Sequence, residues 1–223
     1  MDQKARNAAY LAEFIGTFTL IFIGVGAIAA DFLNGGESGL TGIALAHGLA
    51  IAVMISATAA ISGGHLNPAV TIGLFFAKKI DAINAIGYVI AQCLGATAAA
   101  FLIKMCVPEA ALNEVNMGIP ALTEGVSVGM GLLTEIILTF FLVFVVYGTA
   151  VDKRAPKMGG LFIGLTVALD ILMGGPITGA AMNPARYLGP AIIGGDLSDI
   201  WLYWLGPVLG GILAAVTYKK CLE

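Results

Sequence analysis

Charge is what this sequence has least of. Only 11% of its 223 residues are charged, against 59% hydrophobic, and the mean hydropathy is +0.95. Soluble domains carry about 25% charged residues, so an ordinary soluble fold is excluded and an integral membrane protein is expected. The net charge of -3 leaves no basic patch to neutralise phosphates, which argues against a nucleic-acid partner. Cysteine is scarce as well. Cys93, Cys106 and Cys221 are odd in number and lack metal-ligand spacing, so neither a disulfide framework nor a metal site is expected. No nucleophile, acid/base pair or metal cluster stands out. That argues against an enzyme, and no cofactor is implied.

What is present is hydrocarbon in pieces of similar length. Apolar runs at about 8 to 30, 40 to 61, 83 to 106, 126 to 150, 159 to 174 and 200 to 218 are mostly near the ~20 residues that cross a bilayer, which predicts six spans. The first run shows no clear cleavage site, so it reads as a span and not as a removed signal peptide. The connectors sort by charge. Lys4 and Arg6, Lys78 and Lys79, Lys153, Arg154 and Lys157, and Lys219 and Lys220 alternate with Asp31 and Glu37, then Glu109, Glu114 and Glu124, then Asp196 and Asp199. The positive-inside bias then places both termini in the cytoplasm. Lys104 breaks the pattern, at a span end from which it can snorkel.

Two shorter apolar pieces, PAVTIGLFFA after Asn67 and PARYLGPAII after Asn183, are half as long as a span needs. Each opens with Asn and then Pro. Asn is a strong N-cap, and Pro suits the first helical position because its missing N–H would be unpaired there anyway. These triplets, Asn67-Pro68-Ala69 and Asn183-Pro184-Ala185, therefore predict two half-helices that start deep in the membrane.

The halves also match. AEFIGTF at 12–18 returns as TEIILTF at 134–140, and each copy is followed by a second span, a glycine-rich approach and a half-helix. Three spans per copy set the second copy upside down, an inverted repeat with halves of about 1–110 and 120–223 in one transmembrane domain. Half-helices meeting N-terminus to N-terminus need irregular approach loops, which survive at that depth only if buried in protein or lining a wet path. A pore follows. The positive ends of both half-helices repel cations at its centre, Asn67 and Asn183 offer amide N–H groups, and the carbonyls of SGGH and ITGAAM offer acceptors. A small, neutral, polar solute fits this lining. Arg186, three residues after Asn183, shares its helix face and is expected to line the pore.

The boxes SGGHLNPAV and GAAMNPARYLGP, with the six-span repeat around them, resemble those of the aquaporin, or major intrinsic protein, family over nearly the whole chain. The resemblance implies an all-α membrane protein of six transmembrane helices and two re-entrant half-helices, assembled as a homotetramer with one passive water pore per protomer. It also implies an aromatic/arginine filter that excludes ions and protons. Matched by their distance from the asparagines, the filter positions are His47, Ile171, Ala180 and Arg186. This quartet is similar to that of plant tonoplast aquaporins, several of which pass ammonia, although their histidine between spans three and four has no counterpart in VPEAALNEVNMGIPALTEG. Glycerol facilitators typically carry Asp after the arginine. Tyr187 stands there instead, a water-channel pattern, while Ile171 and Ala180 keep ammonia, glycerol or urea open as further solutes.

The remaining polar residues receive expectations of their own. His47 is either a buried core histidine satisfied by a neighbouring span or, as its twenty-residue spacing to Asn67 favours, a filter residue whose imidazole donates to a passing solute. His65, two residues before Asn67, either pins the approach loop or lines the pore. Glu13 and Glu135, at matching places in the repeat, are expected to accept backbone N–H groups of the two loops, with proton relay in a coupled transporter as the rival. Asp170 points about 100° away from Ile171 around a helix, and three roles fit it: orienting Arg186, bonding His47, or tying down the outer loop.

Overall fold

The computed structural model of the protein describes residues 2–155 and 158–223; Lys157 of the basic connector lies outside them. Every regular element among the described residues is helical. In chain order they are α1 (Gln3–Leu33), α2 (Gly39–Ser62), α3 (Pro68–Phe76), α4 (Ala82–Cys106), α5 (Glu109–Glu114), α6 (Val128–Val146), α7 (Gly159–Thr178), α8 (Pro184–Gly194) and α9 (Ile200–Cys221). Helix α6 widens at its end into a π turn, Tyr147–Val151. Helices α1, α2, α4, α6 with its π turn, α7 and α9 are long and apolar enough to span a bilayer.

Local chemistry sets the ends. Asp2 and Asp81 cap α1 and α4 through their carboxylates, which accept Ala5 N and Asn84 N. Helix α7 runs one turn past the drop in hydropathy at Gly174 and Gly175, because the chain reverses only at Gly179, in the left-handed region at φ 78°. Gly63 closes α2 in the same way at φ 90°.

The two copies pack alike. Helix α1 lies against α2 and α4, as α6 lies against α7 and α9, and the copies meet where α2 crosses α7. At that crossing Gly48 and Gly164 face each other, and a Cβ on either would run into the other's carbonyl oxygen. Lipid supplies no hydrophobic drive between helices, so close approach of this kind is what holds them together.

The half-helices change sides. Helix α3 packs chiefly on α9 of the second copy, and α8 chiefly on α4 of the first. Small residues mark both seats: Gly73 presses on the backbone of Gly211, and Gly189 on that of Ala96. Each re-entrant element is thus gripped by the opposite half. Large aliphatic residues cover the outside, among them Leu45, Leu49 and Val53 on α2 and Leu161, Leu165 and Leu169 on α7.

Candidate functional site

Both approach loops carry the same backbone. Gly63, Gly64 and Leu66 take positive φ values of 90°, 65° and 50°, and Gly179, Ala180 and Met182 repeat them at 78°, 45° and 50°. The second copy changes the residue at two of these places, Gly64 to Ala180 and Leu66 to Met182. An L-residue held there costs roughly 1–2 kcal/mol, so the surroundings must impose the geometry.

Two buried carboxylates do this. Glu13 Oε1 accepts Ser62 Oγ at 2.6 Å and His65 N at 2.9 Å, and its Oε2 accepts Leu66 N at 2.6 Å and Gln92 Nε2 at 2.7 Å. Glu135 mirrors it. Its Oε1 accepts Thr178 Oγ1 at 2.7 Å and Ala181 N at 2.9 Å, and its Oε2 accepts Met182 N at 2.8 Å. The hydroxyls of Ser62 and Thr178 each take one more loop N–H, from Gly64 and Ala180. Tyr88 and Tyr203 donate to the last helical carbonyls, Ser62 O at 2.7 Å and Thr178 O at 2.6 Å. Every one of these contacts satisfies a group that would otherwise be unpaired at bilayer depth.

Sequence reasoning found the two glutamates and missed the rest of their network. The tyrosines carried no signal beyond equal placement in the two copies. Gln92 breaks the symmetry, because Pro207 stands at the matching place in α9.

Asn67 and Asn183 meet between the half-helices. Each Oδ1 caps its own helix, Asn67 accepting from Ala69 N at 2.8 Å and Asn183 from Ala185 N at 3.0 Å. Each Nδ2 crosses to the opposite loop, Asn67 donating to Met182 O at 2.9 Å and Asn183 to Leu66 O at 3.0 Å. One amide hydrogen per Asn is therefore used as a cross-link and one remains. Pro68, Ala69, Pro184 and Ala185 are buried in the first turns of α3 and α8. The carbonyls of Gly63, Gly64 and His65, and of Gly179, Ala180 and Ala181, accept no hydrogen bond among the described residues.

A narrow cavity runs along this junction, and His65, Asn67, Ala180, Ala181, Met182 and Asn183 line it. A wider vestibule lies beyond, under Val115, Gly118, Ile119 and Pro120. His47, Ile171 and Arg186 belong to both walls, so they stand where the two spaces meet, with Ala180 on the cavity side. The inner part is aliphatic, with Leu20, Ile51, Ile55, Val70 and Val167 on its wall. The sequence-matched quartet is thus brought together at one level.

Arg186 is held from a direction the sequence did not suggest. Its Nη1 donates to Gly118 O at 2.7 Å, and Gly118 ends a 3-10 turn, Asn116–Gly118, whose three residues all have positive φ (47°, 53° and 65°). The outer loop is bent to aim that carbonyl. Asp170 makes no hydrogen bond to Arg186, to His47 or to the outer loop, and its Oδ2 is buried without a partner among the described residues. It is absent from both walls, so the structure gives it none of the three roles expected of it.

The two histidines resolve by their partners. His65 Nδ1 lies 3.1 Å from Thr71 Oγ1, which donates its own hydrogen to Asn67 O, so the ring is the donor in this pair. Its ring also stands edge-on to Tyr88 at 5.1 Å. His65 thus pins the loop and lines the cavity at once. His47 Nδ1 lies 2.9 Å from Ile43 O, which can only accept, so the ring hydrogen is engaged inside α2. The expected donation from His47 to a solute is not available in this arrangement, because Nε2 then carries no hydrogen.

Residues 1–218 match the major intrinsic protein family. The chain is 48% identical to Aquaporin TIP4-4 of Zea mays over 94% of its own length and 84% of the relative's. It is 46% identical to Aquaporin TIP2-1 of Arabidopsis thaliana over 94% and 85%. Among solved structures, the aquaglyceroporin from Plasmodium falciparum superposes with a TM-score of 0.85 at 28% identity, covering 97% of both chains. With inverted copies, exchanged half-helices and crossed asparagines in place, the chain is a multi-pass membrane protein that belongs to the major intrinsic protein, or aquaporin, family of channels.

Proposed function

We propose that each chain forms a passive pore for water that excludes ions and protons, with His47, Ile171, Ala180 and Arg186 as its filter. The observation that carries this reading is the crossed asparagine pair. Each Asn holds one free N–H where two helix N-termini, each worth about half a positive charge, face the same point. A water there gives its oxygen to the two donors and turns its hydrogens away, toward the unbonded carbonyls of the loops. A cation meets two positive helix ends and the Arg186 guanidinium, without a carboxylate on the wall to replace its hydration shell.

A second reading extends the solutes to ammonia, glycerol or urea. Ile171 and Ala180 favour it, since they leave half of the filter apolar and without bulk. The assembly proposed is a homotetramer with both termini in the cytoplasm, supported by the resemblance and by the alternation of basic and acidic connectors.

Stopped-flow light scattering of proteoliposomes, with water, glycerol and ammonia run in parallel on the wild type and Arg186→Ala, tests these readings. Fast water flow with little glycerol flow is expected, with leakage of larger solutes and ions appearing in Arg186→Ala. Water flow no faster than in empty liposomes would overturn the water reading. Ammonia flow above the lipid background would establish the wider one.

A further inference from the structure

Among the glycines buried in this bundle, Gly24 faces a side chain of the candidate filter. A Cβ built on Gly48, Gly95 or Gly210 would meet a backbone carbonyl of a neighbouring helix, the mark of helix-to-helix contact. The three atoms nearest to one built on Gly24 all belong to the imidazole of His47: first Nε2, then Cδ2, then Cε1 at 2.9 Å. The edge of the ring occupies the space a side chain on α1 would fill. Nδ1 is tied to Ile43 O, and Nε2 is buried without a partner among the described residues, so the ring is seated in a notch.

The other copy shows what happens without the notch. Val146 follows Glu135 by the same eleven residues that separate Gly24 from Glu13, and Ile163 precedes Asn183 by the same twenty that separate His47 from Asn67. Both Val146 and Ile163 line the cavity. In the second copy a branched side chain fills the α1-equivalent place, and an aliphatic one, not a ring, stands at the α2-equivalent place. In the first, the α1 place is empty and a ring fills it from α2.

We propose that Gly24 is a specificity-determining position, which sets the free width at the filter by seating His47 out of the solute's path. This rests on the reading of His47 as a filter residue. Any side chain at Gly24 must push the ring off α1, and Nδ1 is anchored to the same turn of α2, so the displacement goes toward the pore and Arg186. Core interiors do not absorb an extra methyl where ring atoms already stand.

The test is a double-mutant cycle in proteoliposomes, reading water and urea flow in the wild type, Gly24→Ala, His47→Ala and the double variant. The expected result is a several-fold fall in water flow for Gly24→Ala, a rise in urea flow for His47→Ala, and no further change when Gly24→Ala is added to His47→Ala. An equal effect of Gly24→Ala in both backgrounds would make it a helix-packing glycine and overturn the proposal, as would no effect of Gly24→Ala beside a clear effect of His47→Ala. If His47→Ala leaves both traces at wild-type values, the filter reading itself has failed, and the notch with it. Should Gly24→Ala alone not fold, recovery of folded protein in the double variant supports the seat and its absence overturns it.

Discussion

At the scale of single residues, the fold turns on two buried carboxylates whose oxygens are taken up by the approach loops and their neighbours. Glu13 takes four hydrogen bonds and Glu135 three, and the loop N–H groups of His65, Leu66, Ala181 and Met182 have no other acceptor among the described residues. Removing either leaves several buried donors unpaired at about 1–3 kcal/mol each, so Glu13→Ala and Glu135→Ala are expected to lower thermal stability in detergent markedly, Glu13→Ala the more. Glutamine does not rescue, because its NH₂ would point a donor at the N–H groups it must accept. A thermal midpoint for Glu13→Gln close to the wild type would contradict this account. The sequence exposed these glutamates because a carboxylate repeated inside two apolar runs stands out. Gly118, which holds Arg186, was hidden. It acts through a carbonyl, and a carbonyl belongs to every residue, so nothing in the letters of NMGIP marks the one that is aimed.

At the scale of elements, the half-helices could be read from sequence with little loss. Asn followed by Pro fixed both starts, and Pro68 and Pro184 do open α3 and α8. Their partners could not be read, since packing on the opposite copy leaves no periodic trace in an element of two or three turns. The electrostatics of the element yield a prediction. Asn183→Asp removes the amide N–H that bonds Leu66 O and sets a carboxylate where the two positive helix ends face the cavity. Cation conductance is expected to be higher in planar bilayers of Asn183→Asp than in those of the wild type, while water flow falls. Equal conductance in the two proteins would mean that the helix ends contribute little to exclusion. A similar limit applies to His47: spacing marks the residue, and only its contacts with Ile43 and Gly24 show which of its ring atoms are occupied.

At the scale of the whole molecule, the alternating charges predict an orientation that native cysteines can check. Cys106 ends α4 and Cys221 ends α9, both exposed. With both termini inside, an impermeant maleimide added outside should label Cys106, and one added from the cytoplasmic side Cys221; the reverse pattern would invert the topology. The basic face is also tied together by the end of the chain. Glu223 bonds Lys79 Nζ at 2.7 Å and Tyr147 OH at 2.9 Å, while Arg154 pairs with Asp152 and donates to Leu222 O at 2.9 Å. The Lys79 hydrogen bond holds the Glu223 carboxyl below its ordinary value. The tie is therefore complete above the usual glutamate pKa of about 4.3 and is lost as pH falls through the lowered value. A fluorophore on Cys221 is expected to keep its anisotropy between neutral pH and about 5 and to gain freedom below about 4, a step that Lys79→Ala removes.

The exchange of half-helices has a consequence in time. Ribosomes deliver about 5–20 residues per second, so α3 enters the membrane on the order of ten seconds before the helix that grips it exists. During that interval the first copy has its three spans and its glutamate, yet the seat of Gly73 on Gly211 is still to be made. A bilayer holding only the first copy holds an unfinished object, with a polar loop at hydrocarbon depth and nothing to close it. Helix α9 is made long after the half-helix it grips, so α3 can be locked in place only once the second copy has been read through its third span.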